Sequence, residues 1–202
     1  FHELDFLHMP VVDLKPFELV ILNENLGDFP TLVAHQDSTA PADPETLQWM
    51  NKVNDYEEEF SLNFAANENI NIGALTIVEK LCGARIPYIY LSEHSCESFH
   101  QDPSFPCLNF KASGNPEKIS LNGHDEYSVK FSHLQKIARQ FQYKVIRGQY
   151  TDFLYLNLTE KVKTALRCPT PLSDEQELIQ QFVYDLHKYE YMLLINNSPR
   201  KG

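Results

Sequence analysis

Two carboxylates and two side-chain amides stand together in Asn23-Glu24-Asn25-Leu26-Gly27-Asp28, directly after the apolar run Leu19-Val20-Ile21-Leu22. An apolar run that turns polar this abruptly, with Gly27 and Pro30 just beyond it, predicts a strand over Glu18–Asn23 that is buried on both faces inside a parallel sheet. In open α/β sheets ligands bind outside the carboxyl ends of such strands. Glu24 and Asp28 placed there suit a cationic group, which carboxylates grip by charge-assisted and often bidentate hydrogen bonds. The same residue types also stop strands and make turns, and Pro30 reinforces that plainer reading. Residue types alone leave both open.

A second set, His94, Cys96, His100 and Cys107, has the ligand types of a zinc site but a spacing that matches no common one. Scattered His and Cys are ordinary in a loop, so no metal is expected. Cys82 is expected in the core and Trp49, the only tryptophan, packing a loop. His2, His8, His35, His124, His133 and His187 have no inferable partners. The seven glycines form no GxG, GxGxxG or P-loop spacing, and GxSxG and HExxH are missing. The chain thus offers no phosphate cradle, serine-hydrolase elbow or zincin helix.

These residues need elements to hold them. Leu47–Val53 is predicted as a short helix after a loop around Pro41 and Pro44. Ala74, Leu75, Val78, Leu81 and Cys82 recur with helical spacing, with Asn71 as N-cap and Gly83 just past the end. Ile86–Leu91 follows as a strand that ends in Ser92-Glu93-His94. Residues 95–116 lack periodicity and read as a long irregular excursion, of the kind that carries function. Lys118–Leu121 and Tyr127–Phe131 alternate about Asn122-Gly123, a hairpin signature. Ser132 is predicted to cap a helix with the stripe Leu134, Ile137, Ala138 and Phe141, and Tyr143–Arg147 to form a third core strand. Phe153, Leu154, Leu156 and Leu158 suggest a short helix closed off by Pro169 and Pro171. Ser173 and Gln176 make a capping box for a helix whose apolar face is Leu178, Ile179, Phe182, Val183 and Leu186, with acids in its first turn and His187-Lys188 in its last. Tyr189–Asn196 is a final strand. The alternation is that of a three-layer α/β domain, residues 1–202 forming one domain with an irregular and hairpin insertion at 95–131.

With 17 Lys and Arg against 28 Asp and Glu, the net charge over 202 residues is −11, which argues against sequence-independent nucleic-acid binding. The balance is uneven: eight acids face only Lys52 between Asp37 and Glu68, while eight basic residues face two acids between Lys130 and Arg167. Two solvated faces are expected, or else an acidic lip that meets substrate opposite a basic surface. No apolar stretch approaches the ~20 residues of a membrane span, so no membrane partner is expected. Four cysteines without a CxxC imply reduced thiols in a cytoplasmic setting. Phe1-His2-Glu3-Leu4-Asp5 has no signal-peptide character, and the start at Phe1 reads as a chain cut from something longer or processed.

The segment Val20–Thr31 resembles the "ANE-x-x-D-x-x-P" stretch of the MidA-like S-adenosylmethionine-dependent methyltransferases, the family of the mitochondrial complex I assembly methyltransferase. Asn23, Glu24, Asp28 and Pro30 match, Pro30 one residue closer to the acid. Glu126–Leu134, with Ala138 and a strand after it, is similar to the family's "T-A-H-V-D-F-x-x-L". The likeness spans most of Glu18–Leu158. It implies a class I methyltransferase-like, Rossmann-like sheet, mostly parallel with an antiparallel last strand, of which this chain supplies strands four to seven and lacks the N-terminal part. The glycine-rich loop and the acid that hold the cofactor would lie upstream of Phe1. It also implies S-adenosylmethionine as cofactor and a protein arginine as substrate, in the cytoplasm or in the mitochondrial matrix of a eukaryote. Glu24 and Asp28 are then the catalytic residues, Asn23 binds the cofactor, and Glu93 and His94, standing where relatives carry Asp-Tyr-Gly, bind substrate. The family's following Gly-Thr-Leu segment is not recognisable. Two alternatives stay open: a catalytically inactive interaction or assembly module, joined to a second copy or to an upstream segment, and a small nucleotide sensor, which would need the phosphate cradle the chain lacks.

Overall fold

The computed structural model describes residues 6–34, 44–154 and 158–196. In chain order these form α1 (Val11–Leu14), β1 (Leu19–Asn23), α2 (Pro44–Phe60), α3 (Ile72–Gly83), β2 (Tyr88–His94), a 3-10 turn (Pro106–Leu108), β3 (Lys118–Ser120), β4 (Asp125–Tyr127), α4 (Phe131–Gln140), β5 (Lys144–Gln149), α5 (Tyr150–Phe153), α6 (Glu160–Arg167), α7 (Asp174–Lys188) and β6 (Tyr189–Ile195). A hairpin about Asn122-Gly123 is present as β3 and β4, with Gly123 at φ +111° in its turn, but its second strand is Asp125–Tyr127 and not the expected Tyr127–Phe131, because Phe131 already opens α4.

The main sheet has the order β1-β2-β6-β5, with β1 and β2 parallel and β6 antiparallel to both its neighbours. Three strands therefore point one way and the last runs against them. A mostly parallel sheet was expected; because β6 inserts between β2 and β5, two of the three pairings are antiparallel. Among the described residues β1 is an edge strand, and only Leu22 of its apolar run is fully buried. Leu19 and Ile21 are 52% and 59% exposed, because β1 packs only its Leu22 side against helices. An apolar run does not reveal whether one face or two will be covered.

The main core lies between the sheet and the α2, α3 and α4 layer. Leu22, Ile89, Leu91, Met192 and Leu194 from the strands meet Ile72, Leu75, Val78, Leu81, Leu134 and Ile137 from the helices, with Cys82 fully buried among them. Trp49 packs against this core from α2, a longer helix than the short one expected. On the opposite sheet face α5 contributes its Phe153 ring, 5.1 Å from Tyr90 and 5.3 Å from Tyr191. The expected mixed α/β class is present, but of the three layers expected the described residues give the sheet, one full helical layer and only a small aromatic cap on the other face. Three of the four residues expected in that short helix lie elsewhere: Leu154 follows α5, Leu156 is outside the described residues, and Leu158 precedes α6, whose N-cap is Thr159.

Ser173 caps α7 as expected, its hydroxyl accepting the Gln176 N–H at 3.3 Å. The face α7 buries is rotated from the predicted one. Val183 is buried, but Leu178 and Phe182 are 69% and 62% exposed. The rotation follows from Gln180, whose amide donates to Ala165 and Cys168 carbonyls at 2.9 and 2.7 Å and so satisfies the end of α6. The acidic and basic segments meet at one point, where Lys130 reaches the buried Glu68 carboxylate at 2.7 Å. No described helix is long and apolar enough to cross a membrane.

Candidate functional site at the carboxyl ends of β1 and β2

The parallel register sets Asn23 beside Ser92, and the Ser92 hydroxyl donates to Asn23 Oδ1 at 2.7 Å. Glu24 follows in the left-handed region at φ +53°, which turns the chain off the sheet. Its N–H still donates to the Ser92 carbonyl at 3.0 Å, so the turn stays tied to β2. Asn23, Glu24 and Asp28 are all exposed at this end.

Gly27 explains what comes next. Its carbonyl accepts the Tyr127 N–H at 3.0 Å, and a Cβ at this position would stand 2.7 Å from the Tyr127 carbonyl oxygen. Only glycine lets β4 approach so closely, and β4 brings Glu126. Glu24 and Asp28 both lie near enough to Glu126 to help raise its carboxyl pKa, after burial, the main cause. Asp28 also meets His124 at 3.3 Å.

β2 does not end before Ser92 as expected but runs through His94. Glu93 is only 1% exposed. Its carboxylate accepts the Gly27 and His94 N–H groups at 3.3 and 2.9 Å. Burial, opposed by those two hydrogen bonds and reinforced by Glu126 and Glu24, pushes its pKa up to about 7. Burial pushes His94 down to about 4, so its imidazole is neutral at pH 7. The ring lies against Tyr189 with centroids 3.9 Å apart, and Nδ1 is 3.4 Å from Glu126 Oε1. The Glu24, Asp28, Glu93 and Glu126 carboxyl groups thus act on one another, with His124 beside Asp28 as a basic neighbour, and acids outnumber it in an arrangement suited to holding a positive ligand.

The structure brings together Glu24, Asp28, Glu93 and His94 from the sequence reading. It does not assemble the His94, Cys96, His100 and Cys107 set. His100 meets His187 edge-on with ring centroids 4.5 Å apart, Cys107 donates to the Leu166 carbonyl at 3.1 Å, and Cys96 is buried. All four cysteines are free thiols. Glu126, His124 and Tyr189 were missed as site residues. The alternation around Asn122-Gly123 announced the hairpin, but nothing local pointed it at Glu24. No protein-family model matches the chain, and neither a curated protein nor a solved structure does.

Proposed function

We propose that this chain forms the acceptor-binding side of an S-adenosylmethionine-dependent methyltransferase acting on a cationic protein side chain, with arginine as the group the rim fits. The observation that carries this reading is that Glu24 and Asp28, both exposed just past the carboxyl end of β1, each lie near enough to Glu126 to act on its carboxyl. The run of strands, with the last one antiparallel between β2 and β5, is in keeping with the tail of the resembled fold.

The donor supplies an activated methyl group. What the described residues offer is the acceptor side: Glu24 and Asp28 hold a guanidinium by charge-assisted hydrogen bonds and draw its charge away from the attacking nitrogen. The anionic surroundings concentrate cationic peptide at the rim. Asn23 is pinned by Ser92, and its Nδ2 bonds no described residue, which leaves it to orient a ligand. Holding the nucleophile at attack distance is the main catalytic need of such a transfer.

Transfer of labelled methyl from S-adenosylmethionine to arginine-containing protein, with full-length protein and its Glu24→Ala variant, tests this. Transfer that Glu24→Ala abolishes without unfolding supports the reading; unchanged turnover in the variant rejects the role of Glu24. The exposed sheet face of Leu19, Ile21, Tyr88 and Ile146 favours a second reading, an assembly module without activity. Absence of donor binding in calorimetry, together with capture of a partner on that face, would favour it.

A further inference from the structure

Beneath the exposed rim lies a buried floor of different character, made by Glu93 and His94 at the end of β2 and by Glu126 on β4. The Glu126 side chain is more than nine-tenths buried and accepts no hydrogen bond from any described residue. Its nearest donor is His94 Nδ1 at 3.4 Å, itself a buried atom without a hydrogen-bond partner. The same nitrogen is 4.0 Å from Glu93 Oε1. One ligand atom from each residue lies within 4.8 Å of the other two.

A buried imidazole nitrogen without a hydrogen-bond partner, facing a largely buried carboxylate, costs free energy unless something fills the gap. The gap has the size of an ion. Donor atoms bound at ~2.1 Å to a metal sit roughly 3.4 Å apart in tetrahedral geometry and about 3.0 Å apart as octahedral neighbours; the His94–Glu126 pair stands at the tetrahedral spacing and the Glu93–His94 pair is somewhat wider. A guanidinium is too large for that space, whereas the rim above suits one.

We propose that Glu93, His94 and Glu126 bind a single divalent first-row transition ion, of the Mn2+ or Zn2+ kind, independently of whether the rim supports methyl transfer. Two carboxylates and one neutral imidazole form a mixed oxygen and nitrogen set, which suits such ions better than the all-oxygen preference of Ca2+ or Mg2+. The ligands are already held: the Gly27 and His94 N–H groups fix the Glu93 carboxylate, and Tyr189 fixes the His94 ring. Three protein ligands leave coordination positions open to water or to a substrate atom. Glu24 and Asp28 lie outside this set of ligands, so the rim keeps both carboxyl groups for a cationic acceptor.

A second triad, Asp28, His124 and Glu126, shares Glu126, but its Asp28 and His124 are exposed. The test separates the two. Mn2+ is titrated into the full chain and bound ion read from loss of the free-ion electron paramagnetic resonance signal, with Zn2+, Ca2+ and Mg2+ as competitors. The expected result is one Mn2+ per chain, displaced by Zn2+ but not by Ca2+ or Mg2+ at equal concentration. His94→Gln and Glu126→Gln should each weaken binding at least ~10-fold, while His124→Gln leaves it unchanged. Glu126→Gln removes one of several neighbouring like charges, so the metal-free variant should melt no lower than the wild type. If that variant does not fold, His94→Gln alone decides. No saturable Mn2+ binding, or binding that survives His94→Gln, or binding that His124→Gln abolishes, would overturn the proposal.

Discussion

Glu97 and Arg147 meet at 2.8 Å, and the same Glu97 oxygen accepts the Ser132 N–H at 2.8 Å. The irregular segment after β2 is thereby tied to the first turn of α4 and to β5. Arg147 also pairs with Glu190 on β6, which accepts the Ser95 hydroxyl at 2.8 Å. Burial opposes ionisation of Glu97, but the Ser132 hydrogen bonds and Arg147 outweigh it and hold its carboxyl below the usual range.

Glu97→Ala removes an N-terminal acceptor of α4 and one of the two carboxylates on Arg147. We expect a loss of about 1–3 kcal/mol in chemical denaturation, with Glu97→Gln recovering part of it because an amide oxygen still accepts the Ser132 N–H. Equal losses in the two variants would show that the α4 hydrogen bond contributes little.

Glu24 holds a left-handed backbone that glycine adopts without strain. Glu24→Gly should therefore raise stability by ~0.5–1 kcal/mol while removing the rim carboxylate. Thermal melting and a ligand titration on the same sample separate the two effects. A destabilised variant would mean that the Glu24 side chain supports the fold.

At Gly27 the opposite holds, since an added Cβ would meet the Tyr127 carbonyl at 2.7 Å. Gly27→Ala should cost about 1–3 kcal/mol and push β4, with Glu126, away from the site. Denaturation together with exchange of the Tyr127 amide reports both, because that amide donates to Gly27.

Burial next to Lys130, only partly offset by Glu68 and Glu97, pushes His133 down to about 4. Its unfolded counterpart titrates near 6.5, so the unfolded chain binds the extra proton first. The stability this contributes is complete above pH ~6.5 and is lost as pH falls from there toward 4. Between pH 7 and 4.5 the wild type should lose on the order of 1–3 kcal/mol more than His133→Gln. Parallel stability profiles for the two proteins would contradict this.

The sequence disclosed what is locally encoded. Ser173 and the acids after it mark the start of α7, Asn122-Gly123 marks the β3–β4 hairpin, and the polar break after Leu22 marks the end of β1. It did not disclose features supplied from a distance. Ser132 reads as a cap, yet Lys130 occupies the N-cap position and the acceptor comes from Glu97. Asn71 does occupy the N-cap position of α3 as read, but its side-chain amide bonds the Ser128 carbonyl and the Lys130 N–H instead of the first turn. Glu126 is invisible for the same reason: a strand residue gains its meaning from the turn it packs against, and here Gly27 sets that contact.

The central claim is that the end of β1 presents an anionic rim to a cationic acceptor, and titrating an arginine-containing peptide into the protein while following it by NMR tests it most directly. Saturable binding that weakens with salt and disappears in the Glu24→Gln, Asp28→Asn double variant is the predicted result. An affinity unchanged by that double substitution, or no binding even at low ionic strength, would contradict it.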